Sequence, residues 1–215
     1  QDGEPVDVPF VVVRQNNETY TWARGADGAF SMVLPAGRYD IYATAQGHAP
    51  AKARTVTVEE GKSTELAFSD LRSPGQVDFS VSESGTGIPL DARISISEGV
   101  QPVIGFMGQK TFYTELENVG VCHASLAPGE YTFQVRAGAP FLSKVQDVKL
   151  TVPSNDHADA AVQVSTVARP GKKGWYGVDL HHHSDQLDGK TPPELLVRSQ
   201  LAAGLDSLFL SDHDT

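Results

Sequence analysis

The sequence predicts a mostly β chain, with two tandem β-sandwich domains followed by one strand–helix–strand unit. Three observations predict it. Short runs of alternating apolar and polar residues are separated by Gly- and Pro-bearing turns at roughly eight- to twelve-residue spacing, as in sandwiches. The chain then repeats itself at an offset of 92, where Leu34-Pro35-Ala36-Gly37-Arg38-Tyr39 lines up with Leu126-Ala127-Pro128-Gly129-Glu130-Tyr131. A period of domain size marks a duplicated domain rather than a solenoid. Finally, two apolar strands, Val178 to His181 and Ser207 to Leu210, flank a run with helical periodicity.

Residues 1–72 read as the first sandwich. Strands are expected at Val8 to Val13, Thr19 to Ala23, Phe30 to Leu34, Arg38 to Ala43, Arg54 to Val58 and Ser63 to Phe68. Arg24-Gly25-Ala26-Asp27-Gly28, Pro35-Ala36-Gly37 and Glu59-Glu60-Gly61-Lys62 supply the turns. Residues 74–168 form a second domain of the same type after the linker Ser73-Pro74-Gly75, with Tyr39 and Tyr131 expected at equivalent sandwich corners. Ala168 to Gly174 reads as a second linker, in which Lys172 and Lys173 are solvated. Cys122, the single cysteine, lies in a strand-like stretch and is expected as a buried thiol. His48, His123 and His157 have no acidic partners at metal-ligand spacing along the chain, and read as ordinary surface or core histidines.

Composition narrows the function classes. The formal net charge is −10, and no basic patch stands out, which argues against a nucleic-acid backbone as partner. No apolar run approaches the length of a membrane span. The sequence starts at Gln1 rather than Met, so a removed signal peptide and a secreted or periplasmic location are expected.

Residues 175–215 carry the chemistry. In Gly177-Val178-Asp179-Leu180-His181-His182-His183-Ser184 the strand alternation points His181 and His183 to one side and His182 to the other. Two imidazoles at a strand end can grip one transition-metal ion. Asp188, followed by Gly189, can swing back from the loop as an oxygen ligand. Thr191-Pro192-Pro193-Glu194 reads as a capping box with Thr191 as N-cap, and Gly204 as the helix stop. In a parallel strand–helix–strand unit both strand ends fall on one side. His181, His183, Asp188 and His213 therefore form one candidate metal site. Asp179 and Asp212 are either local caps or carboxylates that orient a ligand histidine.

Asp-Leu-His-x-His-Ser, the following Asp-Gly, the helix and the Ser211-Asp212-His213 strand end together resemble the opening of a PHP-domain metallohydrolase. With β-domains ahead of it, the chain is similar to the secreted carbaryl-hydrolase-like type. Asp-Gly-x-Phe and Pro-x-Gly-x-Tyr in the first domain resemble carboxypeptidase regulatory-like domains. The resemblance implies a distorted (β/α)7 barrel, of which residues 175–215 would be the first βαβ unit. It implies His181, His183, Asp188 and His213 as ligands of two or three Mn, Fe or Zn ions. It implies hydrolysis of a small-molecule or glycan-linked phosphoester or related ester by metal-activated water. No residue is identified as the catalytic acid.

The sequence departs from that family in containing no further βα units, so a second chain completing the barrel is one expectation, and the 215 residues alone are expected to be inactive. Alternatives are a carbamate or carboxylic ester hydrolase of the same family, an amidohydrolase, and a non-catalytic β-sandwich binding or scaffold fragment. Uncovered apolar faces are expected on the strand–helix–strand unit.

Overall fold

The computed structural model describes residues 5–100 and 109–213. Gln1, and Asp214 and Thr215 at the other end, lie outside the described residues. The fold is mostly β. Strands β1 (Phe10–Gln15), β2 (Glu18–Arg24), β3 (Gly37–Thr44) and β4 (Arg54–Val58) form an antiparallel sheet in the order β2-β1-β3-β4. Their inward side chains Val11, Val13, Tyr39, Ile41 and Val56 make a core.

The segments expected as strands at Phe30 to Leu34 and Ser63 to Phe68 form no ladder. They still bury their alternate residues: Phe30, Met32 and Leu34, with Leu66 and Phe68, pack against the sheet. Period-2 alternation reports which side chains face the core, whereas a ladder also needs a neighbouring backbone in register.

The next stretch is a two-sheet sandwich. Strands β5 (Gly75–Glu83), β6 (Arg93–Glu98), β7 (Thr111–Tyr113), β8 (Val121–Leu126), β9 (Gly129–Arg136), β10 (Gln146–Val152) and β11 (His157–Val164) divide between sheets β10-β9-β6-β7 and β11-β5-β8. The core runs between them through Val77, Phe79, Ile94, Phe133 and Val164. Phe79 meets Phe133 edge-on, with ring centroids 5.1 Å apart. Such pairs contribute about 0.5–1.5 kcal/mol beyond the area they bury. Cys122 is buried in this core.

The offset of 92 also relates two strands of the structure. Strand β3 falls on β9 at the offset of 92, but the following hairpin pairs differently: Tyr39 opposes Val56, while Tyr131 opposes Leu150. That is a two-residue shift, and an even shift keeps every side chain on its own face.

After a 3₁₀ turn at Pro170–Lys173 come β12 (Val178–His182), α1 (Pro193–Ala202) and β13 (Ser207–Leu210), with β12 and β13 parallel. Helix α1 rests on the sandwich. Arg198 donates to the carbonyls of Tyr113 and Thr114, and the Gly138 N–H donates to the Ala202 carbonyl at 2.7 Å.

The capping box is not formed. The helix starts at Pro193, one residue later than expected, and no side chain caps it. Pro192 precedes a proline, which disfavours helical backbone, and it sits extended with ψ 141°. The C-terminus follows expectation: Gly204 (φ +84°) bonds back to Leu201, and Leu205 to Gln200, as in a Schellman motif.

The strand–helix–strand unit carries the uncovered apolar side chains expected of it. Leu180 is 74% exposed, and Trp175, Tyr176 and Phe209 are exposed too. The described residues contain one α-helix and one parallel strand pair in this region, and no (β/α)7 barrel. The pattern of one βαβ unit was legible; closing a barrel needs a ring of parallel strands, and every other strand here belongs to a sandwich-type sheet.

Candidate functional site

The site forms where the chain leaves β12 and β13. The Ser184–Gly189 loop closes on itself through the Gly189 N–H to the Ser184 carbonyl, at 2.7 Å. A Cβ at position 189 would lie 2.5 Å from the His183 carbonyl group, so only glycine permits this approach. The closure brings Asp188 back over His183. Asp188 Oδ2 lies 3.0 Å from His183 Nδ1 and 2.9 Å from His213 Nδ1. Ligand atoms of His183, Asp188 and His213 all fall within 4.8 Å of one another.

His181 stands on the other edge of the His183 ring, Nε2 to Nε2 at 3.0 Å. Its Nδ1 lies 2.9 Å from Ser211 Oγ, which lies 3.3 Å from the His182 carbonyl. Two assignments of protons satisfy this chain. In one, His183 Nε2–H donates to His181, His181 Nδ1–H donates to Ser211, and the Ser211 hydroxyl donates to the His182 carbonyl, which leaves the His183 Nδ1 lone pair open to an ion. In the other, Ser211 donates to His181, His181 donates to His183, and His183 Nδ1–H donates to Asp188.

The two aspartates with proposed orienting roles go elsewhere. Asp179 accepts from the His182 ring at 2.9 Å, from the His181 N–H at 3.2 Å and from Gln200 of α1 at 2.9 Å. The His182 hydrogen bond, followed by that of the His181 N–H, holds the Asp179 carboxyl below its ordinary value. Asp212 accepts from the N–H and, at 2.6 Å, the hydroxyl of the buried Ser184, which ties the β12 and β13 ends together. Neither carboxylate touches the ring of His181, His183 or His213. Burial alone would raise the Asp188 carboxyl; the His213 N–H and the charges of His183 and His213 outweigh it and set it lower than usual.

Ser184, Ser211 and Gln200 were not singled out from sequence. The two serines stand beside motif residues, so a signal existed. Gln200 lay on a helix face with no such mark.

The fold and site define a β-sandwich protein with a histidine–aspartate cluster at the exposed tip of a parallel strand pair. No protein-family model and no curated protein matches the chain. Among solved structures, the chain is similar to the minor pilin GBS52 of Streptococcus agalactiae, at 14% identity over 78% of this chain and 86% of that one, TM-score 0.43. It is similar to the shaft pilin SpaA of Lactobacillus rhamnosus GG (D295N mutant), at 9% identity over 79% and 95%, TM-score 0.31. A match to the Bacillus anthracis TIE protein has 16% identity over 88% of this chain and 35% of that one, TM-score 0.33.

These findings correct the family expectation. The solved structures named above are pilins and the TIE protein, none of them a PHP metallohydrolase, and no family model matches the chain. The carbaryl-hydrolase-like and carboxypeptidase regulatory-like assignments are therefore withdrawn, and with them the hydrolase and phosphoesterase readings. The physical reason is that the resemblance rested on local spacing. One strand–helix–strand unit satisfies that spacing by placing donors at adjacent strand ends, whatever the rest of the chain does. Active sites are typically concave, whereas His181 and His213 are exposed.

Proposed function

We propose that the chain is a non-catalytic β-sandwich scaffold or binding module whose tip holds a divalent transition-metal ion. The convergence of His183 Nδ1 and His213 Nδ1 on Asp188 Oδ2, at 3.0 and 2.9 Å, carries this reading. Two imidazoles and a carboxylate suit Mn, Fe or Zn. His183, Asp188 and His213 would hold one ion, and His181 would set the tautomer of His183 rather than bind separately. Bound there, the ion cross-links the ends of β12 and β13. The three units of residues 1–72, 74–168 and 175–215, a protein or glycan partner and a secreted or periplasmic setting belong to the same proposal; cell fractionation tests the last.

Titration of the metal-free full chain with zinc chloride tests the tip. We expect one equivalent to be lost in the double variant His183→Ala/His213→Ala. We also expect zinc at a hundred times Kd to add about 2.7 kcal/mol of stability. Equal zinc stoichiometry and equal thermal shift in the wild type and the double variant would sink the proposal.

A further inference from the structure

We propose that the outer face of sheet β11-β5-β8 carries a second divalent-metal site, formed by Asp78, His157 and Asp159, with His123 as a positioning residue. The sheet register creates it. Asp78 on β5 lies opposite His123 on β8 and opposite Asp159 on β11. His157 precedes Asp159 by two positions and so shares its face. All four point away from the core, while their neighbours Val77, Phe79, Cys122 and Ala160 point into it.

One donor pair already has the spacing of an ion's ligands, and the second carboxylate lies within reach. Donors around a tetrahedral zinc at ~2.1 Å stand about 3.4 Å apart. Here His157 Nδ1 lies 3.5 Å from Asp78 Oδ2, while Asp159 Oδ1 lies 3.0 Å from the other ring nitrogen, Nε2, so an ion held by one nitrogen would draw the second carboxylate in by a turn of a side chain. Ligand atoms of the three residues all fall within 4.8 Å of one another. Asp78 divides its oxygens: Oδ1 takes the His123 Nδ1–H at 2.6 Å, which leaves Oδ2 on the side of His157. A carboxylate held in this way is oriented before any ion arrives.

Charge points the same way. Like charges directly opposite on a ladder are destabilising, and Asp78 faces Asp159. Glu115 adds a third carboxylate, 3.8 Å from His123 Nε2. Among the described residues, every ion pair of these carboxylates is with His123 or His157, and none is with Lys or Arg. A divalent ion with imidazole and carboxylate donors offsets that charge.

The test uses the full chain carrying His183→Ala/His213→Ala, so the tip does not contribute. Zinc chloride titration should show one saturable equivalent, and the imidazole ¹⁵N resonances of His157 should move on binding. His157→Ala or Asp159→Asn should weaken that equivalent at least tenfold, and His123→Ala about tenfold. Unchanged zinc affinity in His157→Ala, or a His157 imidazole that does not respond to zinc, would overturn the site. If a variant fails to fold, the His157 resonance in the tip variant decides alone. Loss of the tip equivalent with retention of this one, or the reverse, separates the two proposals.

Discussion

Tyr39 and Tyr131 occupy the same place in two sheets, 92 positions apart, and each donates its hydroxyl to the carbonyl four residues upstream: Tyr39 to Pro35 at 3.1 Å, Tyr131 to Ala127 at 2.6 Å. Both are buried, and each pins the turn that opens its strand to the strand itself. Tyr39→Phe and Tyr131→Phe should each cost about 1 kcal/mol in urea unfolding. Burial pushes the Tyr131 phenol up to about 12. Its folded pKa is raised, so its contribution is complete below the unfolded value near 10 and is lost as pH rises through 12. Ultraviolet titration should show this phenol ionising last; ionisation with the exposed tyrosines would refute the packing.

A second prediction concerns the segment that leads to the tip. Arg169 donates to the carboxylate of Glu83, 86 positions earlier, and Thr86 donates to its other oxygen at 2.7 Å. Hydrogen bonds from Arg169, Thr166 and Thr86, outweighing burial, hold the Glu83 carboxyl at about 2. Its folded pKa is depressed, so the stabilisation is present above the unfolded value near 4.5 and is lost as pH falls through 2. The melting temperature of the wild type should fall over that window, and Glu83→Gln should flatten the fall. Identical slopes would show that the carboxylate does not anchor this segment.

Cys122 should be chemically silent in the native protein. Burial raises its thiol to about 11, and it is 1% exposed. At pH 8 about one thiol in a thousand is ionised, before access is counted. Reaction with a disulfide reagent should be at least a thousandfold slower in buffer than in guanidinium. Comparable rates would mean that the β5–β8 core opens freely.

What the sequence made legible was periodic or local. Alternation located β2, β3 and β4 within about two residues, and the Tyr39 and Tyr131 motif marked two strands, β3 and β9, at the same offset. The order His181, His183, Asp188, His213 placed four donors that the strand pair gathers at its tip, because adjacent parallel strands end together. What was hidden depended on register or on backbone detail. Asp78 and His123 are 45 positions apart and meet only because β5 and β8 pair in one register, so His123 and His157 read as ordinary histidines. Pro192 looked like the first helical residue, yet Pro193 behind it forces an extended backbone. The family resemblance failed for a related reason. It was drawn from a stretch short enough to be met by one strand–helix–strand unit, whereas the larger architecture is written in the alternation of the preceding sheets.

The last prediction ties the tip to its support. Gly204 ends α1 at φ +84°, and a Cβ there would lie 2.6 Å from Leu142 Cδ1 and 3.2 Å from Gly138 Cα. Gly204→Ala therefore meets two obstacles: left-handed backbone, costing roughly 1 kcal/mol, and a clash with the loop on which α1 rests. The effect should be local. Amide exchange should accelerate in Leu196 to Ala203 and at Gly138, whose N–H bonds to Ala202, while Val77 and Phe133 in the sandwich core keep their protection. Zinc binding at the tip should weaken with it, since Gln200 on α1 holds Asp179 against His182. Adding Leu142→Ala removes the closer of the two contacts and leaves the strain and the approach to Gly138, so the double variant should recover part of the protection. Uniform loss of protection across sandwich and tip would instead show that α1 and the sheets unfold as one body.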